Sequence, residues 1–387
     1  MSDKRVEVRM VENEADMKAF LCFPWMCYRD NPYWVPPLFS THRGNFDRQK
    51  NVELHHVTID YFVAWRDDVP VGTISAFVNH AHNEFHQENI GFFGSFEVLE
   101  DRAAAHALLE AAEAWCREHG VEAIRGPATF STNSEFGLLV EGFDSPPMIF
   151  TTYAHPYYRD FVESAGYSKE MDMFAFHVDV ESYRDGQPDN ILVRLTRVMD
   201  RLRQRRNFVV RNVNLRDLDN EVARIKKIYN SAWEKNWGFV PLRDEEFDKF
   251  AQNLKRIIDP DVSFFVEVDG EPVAFSVPLP DINQPLRLAH PRPDEPEILA
   301  LLRLMWHWKV RRRLTRVRLF ALGVLDGYRG TGVDALLYLE TIKAGLRKGY
   351  VDAEMSWILE NNDMMMRSAQ MLGARVYKTY RAYEKLL

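Results

Sequence analysis

What most constrains the fold of this 387-residue chain is an order of elements that occurs twice. "YFVAW" (61–65) and "PVGTISAFVN" (70–79) flank the turn "RDDV" and predict a β-hairpin. The counterpart is "VSFFVEV" (262–268), the turn Asp269–Gly270 and "EPVAFSVPL" (271–279). A strand-like run follows each hairpin, "IGFFGSFEV" (90–98) in one case and "RLFALGVL" (318–325) in the other. Each leads into a helix, from Ala103 to about Glu118 and from Val333 to about Lys348, stopped by Gly120 and Gly349. Arg347 and Lys348 place cations at the negative end of the second helix. Another strand comes next, "VEAIRGP" (121–127) or "VDAEMSWIL" (351–359), then a helix ending at Gly166 or Gly373. Each half closes on an aromatic strand, "MDMFAFHV" (171–178) or "VYKTYRAYE" (376–384). One β-hairpin–β–α–β–α–β plan used twice predicts an internal duplication of α+β class, with mixed, mostly antiparallel sheets flanked by helices. The expected organisation is a first copy over 1–185 with an excursion at roughly 128–156, a joining helix at 186–207, and a second copy over 208–387.

Composition narrows the function classes. A net charge of −8 argues against general nucleic-acid binding. The three cysteines (Cys22, Cys27, Cys116) have no metal-ligand spacing, and an odd number fits a reducing compartment. The N-terminal "MSDKRVEVRM" lacks the apolar core of a signal peptide, and no uninterrupted apolar run reaches ~18 residues. The expectation is a cytoplasmic, non-spanning protein.

The stretch that bears on chemistry is "DGYRGTGVDALL" (326–337), between a strand and a helix. The unpaired amides of a helix's first turn, with the helix dipole behind them, suit phosphate oxygens. Gly330 and Gly332 permit close backbone approach, and Arg329 can add a charge-assisted contact. By itself the stretch fits a plain turn better than a site. In context, the order strand, "Y-R-G-x-G-hydrophobic", helix, strand, then an asparagine before the last helix resembles the Gcn5-related N-acyltransferase (GNAT) superfamily. That resemblance implies that the amides of Arg329, Gly330, Thr331, Gly332 and Val333 hold the pyrophosphate of acyl-coenzyme A. It further implies that the pantetheine runs along Leu322–Val324, and Asn362 keeps the family's spacing to Gly373. Two positions depart from the pattern. Asp334 brings a negative charge into the first helical turn, and Ala369 stands where a thiolate-protonating tyrosine is common.

The first copy reads "FEVLEDRAAA" (96–105) at the equivalent place, with Glu97, Glu100 and Asp101 and no glycine. Acidic residues there are good capping chemistry and a poor phosphate site. The chain thus resembles a tandem GNAT protein with one coenzyme site, in the second copy. "GFFGSFE" (91–97), "GP" (126–127), "NSEFGLL" (133–139), "EMSWILENND" (354–363) and "YKTYRAYEK" (377–385) resemble a narrower bacterial group that includes the ceramide synthases. That resemblance implies transfer of an acyl group from acyl-CoA to the amine of a long-chain sphingoid base, in a cleft shaped partly by the first copy. A soluble amine or aminoacyl acceptor, or a non-catalytic acyl-CoA binder, are the alternatives.

Acyl transfer to an amine needs the acyl carbonyl polarised, the ammonium deprotonated and the thiolate given a proton. Alternation in "EMSWILE" puts Glu354, Ser356, Ile358 and Glu360 on one strand face, so Glu354 and Glu360 are candidate bases; solvated strand ends are the plainer alternative. Glu97 is the third candidate, or else a helix-capping carboxylate. In "NHAHNEFH" (79–86), His80 and His82 share a strand face, and His82 is a candidate proton shuttle. No companion ligands complete a zinc or iron set, so no metal is expected. "EILALLRLMWHWKVRRRLTRVR" (297–318) reads as an inserted basic amphipathic helix. Ile298, Leu301, Leu302, Met305 and Trp308 form its apolar stripe; Arg303, His307 and Arg311 form a basic one. It fits either peripheral contact with the inner membrane surface or docking of the two copies. "YRDNPYWVPPL" (28–38) suits an irregular lid, with Tyr33 and Trp34 able to line an acyl channel.

Overall fold

The two hairpin turns show why the plan repeats. Asp67 and Asp68 (φ 51° and 59°), and likewise Asp269 and Gly270 (φ 52° and 84°), take left-handed backbone. That conformation matches a tight two-residue reversal to the right-handed twist of the flanking strands. The computed structural model describes residues 5–184, 191–203 and 207–387.

Two compact units result, and neither is a continuous segment. One comprises the chain through Met173 together with Pro285–Val310 and Lys378–Leu387. The other comprises Phe174–Gln284 and Arg311–Tyr377. A division into 1–185 and 208–387 therefore differs from the observed one in two respects. The unit boundaries fall inside the two long closing strands, and the segment 285–310 belongs with the first unit.

In the first unit, β1 (Glu7–Met10), α1 (Glu14–Cys27) and α2 (Phe39–Asn45) precede the hairpin β2 (Val57–Arg66) and β3 (Val69–Asn79). A short helix α3 (His80–His86), β4 (Ile90–Val98), α4 (Arg102–Glu118) and β5 (Ala123–Gly126) follow. Sheet order is β1-β2-β3-β4-β5, antiparallel except for the parallel β4–β5 pair. The excursion expected at 128–156 contains β6 (Ala128–Thr129), β7 (Ser131–Phe136) and β8 (Leu138–Glu141), and α5 (Tyr157–Ser164) comes after it. On α4, Ala104, Ala105, Leu108, Leu109, Ala112, Trp115 and Cys116 are buried, the stripe expected of a helix lying on a sheet.

The closing strand of the first half is β9 (Ser168–Asp179), and the helix α6 (Ile191–Arg203) lies in the segment expected to join the copies. Residues 186–190 and 204–206 of that segment lie outside the described residues. The second unit then repeats the first: β10 (Phe208–Asn212), α7 (Leu218–Trp233), α8 (Asp244–Leu254), and the hairpin β11 (Phe264–Val268) and β12 (Glu271–Pro280). The chain next passes through α9 (Asn283–Ala289) and α10 (Glu297–Met305) before β13 (Arg316–Val324), α11 (Val333–Lys348), β14 (Asp352–Leu359), α12 (Asp363–Met371) and β15 (Arg375–Leu386). Sheet order is β10-β11-β12-β13-β14, with only β13–β14 parallel. The repeat is therefore larger than the hairpin-first plan, because a strand and two helices open each copy. Val333, Leu336, Leu337 and Ala344 of α11 pack into the core with Val266, Val273, Met355 and Ile358. Left-handed Gly349 closes α11, its amide bonding Leu346 O (3.3 Å) while Tyr350 N bonds Gly345 O (3.0 Å).

Two local expectations fail. His80–His86 form α3 rather than a strand end, because the Asn79 side chain accepts the His82 amide and starts a helix. The run 297–318 is not one helix. Residues Trp306–Val310 make a single π-helical turn, and Arg316–Arg318 already belong to β13, where Arg318 pairs with Glu354.

The last ten residues complete the first unit. Tyr383, Glu384, Lys385 and Leu386 pair antiparallel with Gly126–Ala123. Arg125 bonds Glu384 (2.8 Å), Lys385 bonds Glu113 (2.7 Å), and the fully buried Tyr383 donates to Glu163 (2.9 Å). Tyr383→Ala is expected to destabilise the protein by about 3–5 kcal/mol, the usual cost of emptying a buried aromatic site. Tyr383→Phe, which loses only one hydrogen bond, should cost about 1 kcal/mol. Urea unfolding of the two variants measures both.

Candidate active site

The second unit holds a strand opening with a helix end behind it. β13 and β14 are paired from Arg316–Asp352 to Leu319–Met355, and the register stops there. Beyond that point β13 stays paired with β12, through Leu322–Ser276, Gly323–Phe275 and Val324–Ala274. Leu325 N–H donates to Val273 O (2.9 Å) on the β12 side. Backbone groups alternate along a strand, so those of Val324 and Leu322 face the other side, where β14 has diverged.

From Leu325 the chain makes a single 3₁₀ turn over Asp326–Tyr328. The Thr331 hydroxyl bonds Tyr328 O (2.6 Å), and Gly330 (φ 69°) and Gly332 (φ 88°) swing the backbone into α11. A side chain is poorly tolerated at that φ, so these two positions need glycine. Gly332 O accepts the first helical hydrogen bond, from Leu336 N (3.1 Å), and no side chain caps this helix start. The amides of Val333, Asp334 and Ala335 thus present donors at the positive end of a sixteen-residue helix.

Arg329 behaves differently from its sequence reading. Its guanidinium bonds Ala232 O (2.9 Å) and pairs with Asp326 (3.1 Å), so the side chain fastens the loop to the end of α7. Asn362 caps α12, accepting from Met365 N (3.2 Å), and is placed by that role. Asp334 acts on Tyr338, one turn further along α11. Burial chiefly, and the Asp334 charge next, push that phenol above its ordinary range. Ala369 is fully buried in the core.

The same two features are closed in the first unit. β4 and β5 pair only from Ile90–Ala123 to Phe92–Arg125 and then part. The space beside β4 is taken by the chain itself: a Cβ on Gly94 would lie 1.8 Å from Ala128 O, the start of β6. The α4 start is capped by Asp101, which accepts from Ala104 N (3.1 Å) and pairs with Arg66 (2.7 Å). That carboxylate occupies the place an anion would need.

The candidate carboxylates divide between the units. Glu354 is completely buried in the second unit and is not a solvated strand end. It accepts from the Ser356 and Tyr377 hydroxyls, and Arg318 Nε lies 3.6 Å away. Arg318 also donates to Ser356 Oγ (2.8 Å) and Ser356 O (3.2 Å), and its guanidinium lies 5.5 Å from the Phe320 ring and 5.3 Å from the Trp357 ring. Three groups on three strands therefore orient one carboxylate beside the point where β13 and β14 part. Glu360 lies in the turn after β14 and does not share this cluster's strand.

Glu97 is partly buried in the first unit and accepts from Tyr28 (2.7 Å) and Tyr158 (2.8 Å). Burial pushes its carboxyl up to about 7, although the two phenols pull the other way. It is not the cap of α4; Asp101 has that role. Tyr28 is stacked between Trp34 (5.1 Å) and His155 (4.6 Å), so the aromatic segment 28–38 does pack as an irregular cover. His82 sits near the other end of β4, against Phe92 and bonded to Glu88 (3.0 Å). Burial lowers it to about 4, which makes it neutral near pH 7 and ill suited to carry a proton. Phe92 and Glu97 are five residues apart along β4, roughly 16 Å at strand spacing, so His82 and Glu97 are not one site. Among the described residues no group of three or more His, Cys, Asp or Glu could hold a metal ion.

Residues 25–134 match the acetyltransferase (GNAT) family. The Escherichia coli K12 protein YghO is 34% identical over 98% of this chain and 95% of its own length. The bacterial ceramide synthase of Caulobacter vibrioides is 32% identical over 97% of this chain and 96% of its own. The chain belongs to the tandem GNAT acyltransferases of the bacterial ceramide synthase type. A tandem GNAT protein from the clavulanic acid pathway shares the fold, with a TM-score of 0.54 at 12% identity over 99% of this chain and 98% of that one. A GNAT protein from Sphaerobacter thermophilus does so with 0.51 at 12%, over 100% and 96%. The family match falls on the first half, whose helix start is capped, so it establishes ancestry for that half without locating the anion site.

Tyr28, Tyr158, Arg318 and Tyr377 are absent from the sequence reading. Each meets its carboxylate across a long stretch of chain, 69 and 61 residues for the Glu97 pair, and no spacing signals that. Glu97 carries a pH consequence. Its folded pKa is above the ordinary value, so from about pH 4.5 to 7 the unfolded state ionises while the folded state keeps the proton. Stability should therefore fall as pH rises through that window, by roughly 3 kcal/mol at ~1.4 kcal/mol per pH unit. Glu97→Gln should lose most of that dependence, read as the change in melting temperature between pH 5 and 8.

Proposed function

We propose that this protein transfers an acyl group from acyl-CoA to the primary amine of a long-chain sphingoid base at the cytoplasmic face of the inner membrane, forming a ceramide-like amide. The observation that carries the donor half is the uncapped start of α11 behind left-handed Gly330 and Gly332, at the mouth of parted parallel strands. The pyrophosphate takes the uncapped amides at the start of α11, those of Val333, Asp334 and Ala335, and the pantetheine and acyl carbonyl take the backbone of Leu322 and Val324. This is chemistry the helix end supplies without any side chain. Arg329 contributes by holding the loop and Asn362 by holding α12, so neither needs to touch the donor. The acceptor half is supported by the 32% identity to the ceramide synthase.

In this reading Glu354 receives the acceptor ammonium, and Ser356, Tyr377 and Arg318 hold the carboxylate in place. The ammonium gives one proton to Glu354, the freed amine attacks the thioester carbonyl, the C–S bond breaks, and the second nitrogen proton goes to the departing sulfur, so CoA leaves as the thiol.

Incubation of the purified protein with palmitoyl-CoA and sphinganine should release free thiol and N-palmitoyl sphinganine in equal amounts. Turnover of a water-soluble amine with none of sphinganine would overturn the acceptor; CoA binding without turnover of any amine would overturn catalysis. Glu354→Gln should lower kcat about 10²-fold or more with CoA affinity unchanged. Gly332→Glu should abolish CoA binding, and normal binding by that variant would remove the phosphate assignment.

A further inference from the structure

The sequence left open whether the segment 297–318 meets a membrane or docks the copies, and the orientation of α10 and the π turn after it bears on that choice. Arg303 is turned to the protein, bonding Ala289 O (2.8 Å) and Glu295, and Ala300 is buried. Glu297 is fixed by Ser40, through its amide (2.7 Å) and hydroxyl (2.6 Å). The large apolar side chains are outside. Ile298, Leu302 and Val310 are 60–61% exposed, and Leu299, Met305 and Trp306 are 45–54% exposed. Positions 298, 302, 305, 306 and 310 recur at three- and four-residue steps, which places them along one helical face. Single exposed apolar residues are ordinary, but a continuous row of them on one helix marks an interaction surface.

Charge selects the partner. Lys309 is exposed with its ammonium 4.0 Å from the Trp308 ring, and the chain runs directly on into Arg311, Arg312 and Arg313, all exposed. This cluster of cations ends an apolar row in a chain whose net charge is −8. A tryptophan-bearing apolar face ending in lysine and arginine fits the boundary of an anionic bilayer, with the rings at headgroup level and the cations on lipid phosphates. No helix among the described residues is long and apolar enough to cross a membrane. We infer that residues 298–310 form a monotopic anchor that lays its apolar face into an anionic lipid surface. Its purpose rests on the reading of the acceptor as a long-chain amine, because such a substrate resides in that surface; the binding itself does not depend on catalysis.

Vesicle sedimentation tests this with the full-length protein. Wild type should sediment with phosphatidylcholine vesicles containing about one-third phosphatidylglycerol, and more weakly with pure phosphatidylcholine. The double variant Ile298→Ser/Leu302→Ser should bind at least tenfold less, with an unchanged melting temperature and an unchanged rate on a water-soluble amine if one is accepted. Failure of wild type to sediment, or equal sedimentation of the double variant, would overturn the anchor. So would a dimer in analytical ultracentrifugation that the same variant dissociates, since the face would then belong to a second copy. Vesicle binding that is intact in Glu354→Gln, or in wild type that makes no N-acyl sphinganine, would support the anchor while the catalytic reading is judged separately.

Discussion

Everything specific in this molecule depends on a pair of parallel strands that begin together and then part. Backbone donors and acceptors inside a sheet need partners, and a strand that loses its neighbour halfway along is left with one unpaired side. β13 is in that condition beyond Leu319, and β4 beyond Phe92. The first unit answers with its own chain, bringing Ala128 against Gly94 so closely that no side chain fits between them. The second unit leaves Leu322 and Val324 facing the opening, with a helix end immediately beyond.

The helix ends after these strands differ in the same sense. Asp101 neutralises the start of α4 and is itself held by Arg66, whereas Gly332 leaves the α11 start without a cap. A carboxylate cap and an anion site compete for the same amides and the same dipole, so one duplicated element can serve one purpose or the other. Asp334 lies in the first turn of α11. Its charge is felt along the helix by Tyr338.

Two carboxylates show how surroundings divide labour among like groups. Glu354 is ringed by two hydroxyls and a guanidinium, a setting that orients a carboxylate. Glu97 accepts from two phenols, and burial nonetheless pushes its carboxyl up to about 7.

The sequence by itself determined the element order, the duplication and the glycine turn before α11. These are local matters: alternation, turn residues with positive φ, glycines at helix ends, and Asp101 set against Gly332 within one short stretch of each copy. Its reach ended where contacts are long-range. The histidine run reads as a strand until the Asn79 cap makes it a helix, and 297–318 reads as one helix until Arg318 pairs with Glu354 across the sheet. Only the tertiary structure decided that Glu354 is enclosed and Glu360 lies in a turn, that Arg329 fastens a loop, and that α10 turns its apolar face outward. It also decided that the last ten residues complete the first unit. The physical reason is the same in each case. Periodicity fixes which residues share a face, but the packing partner decides which face is buried.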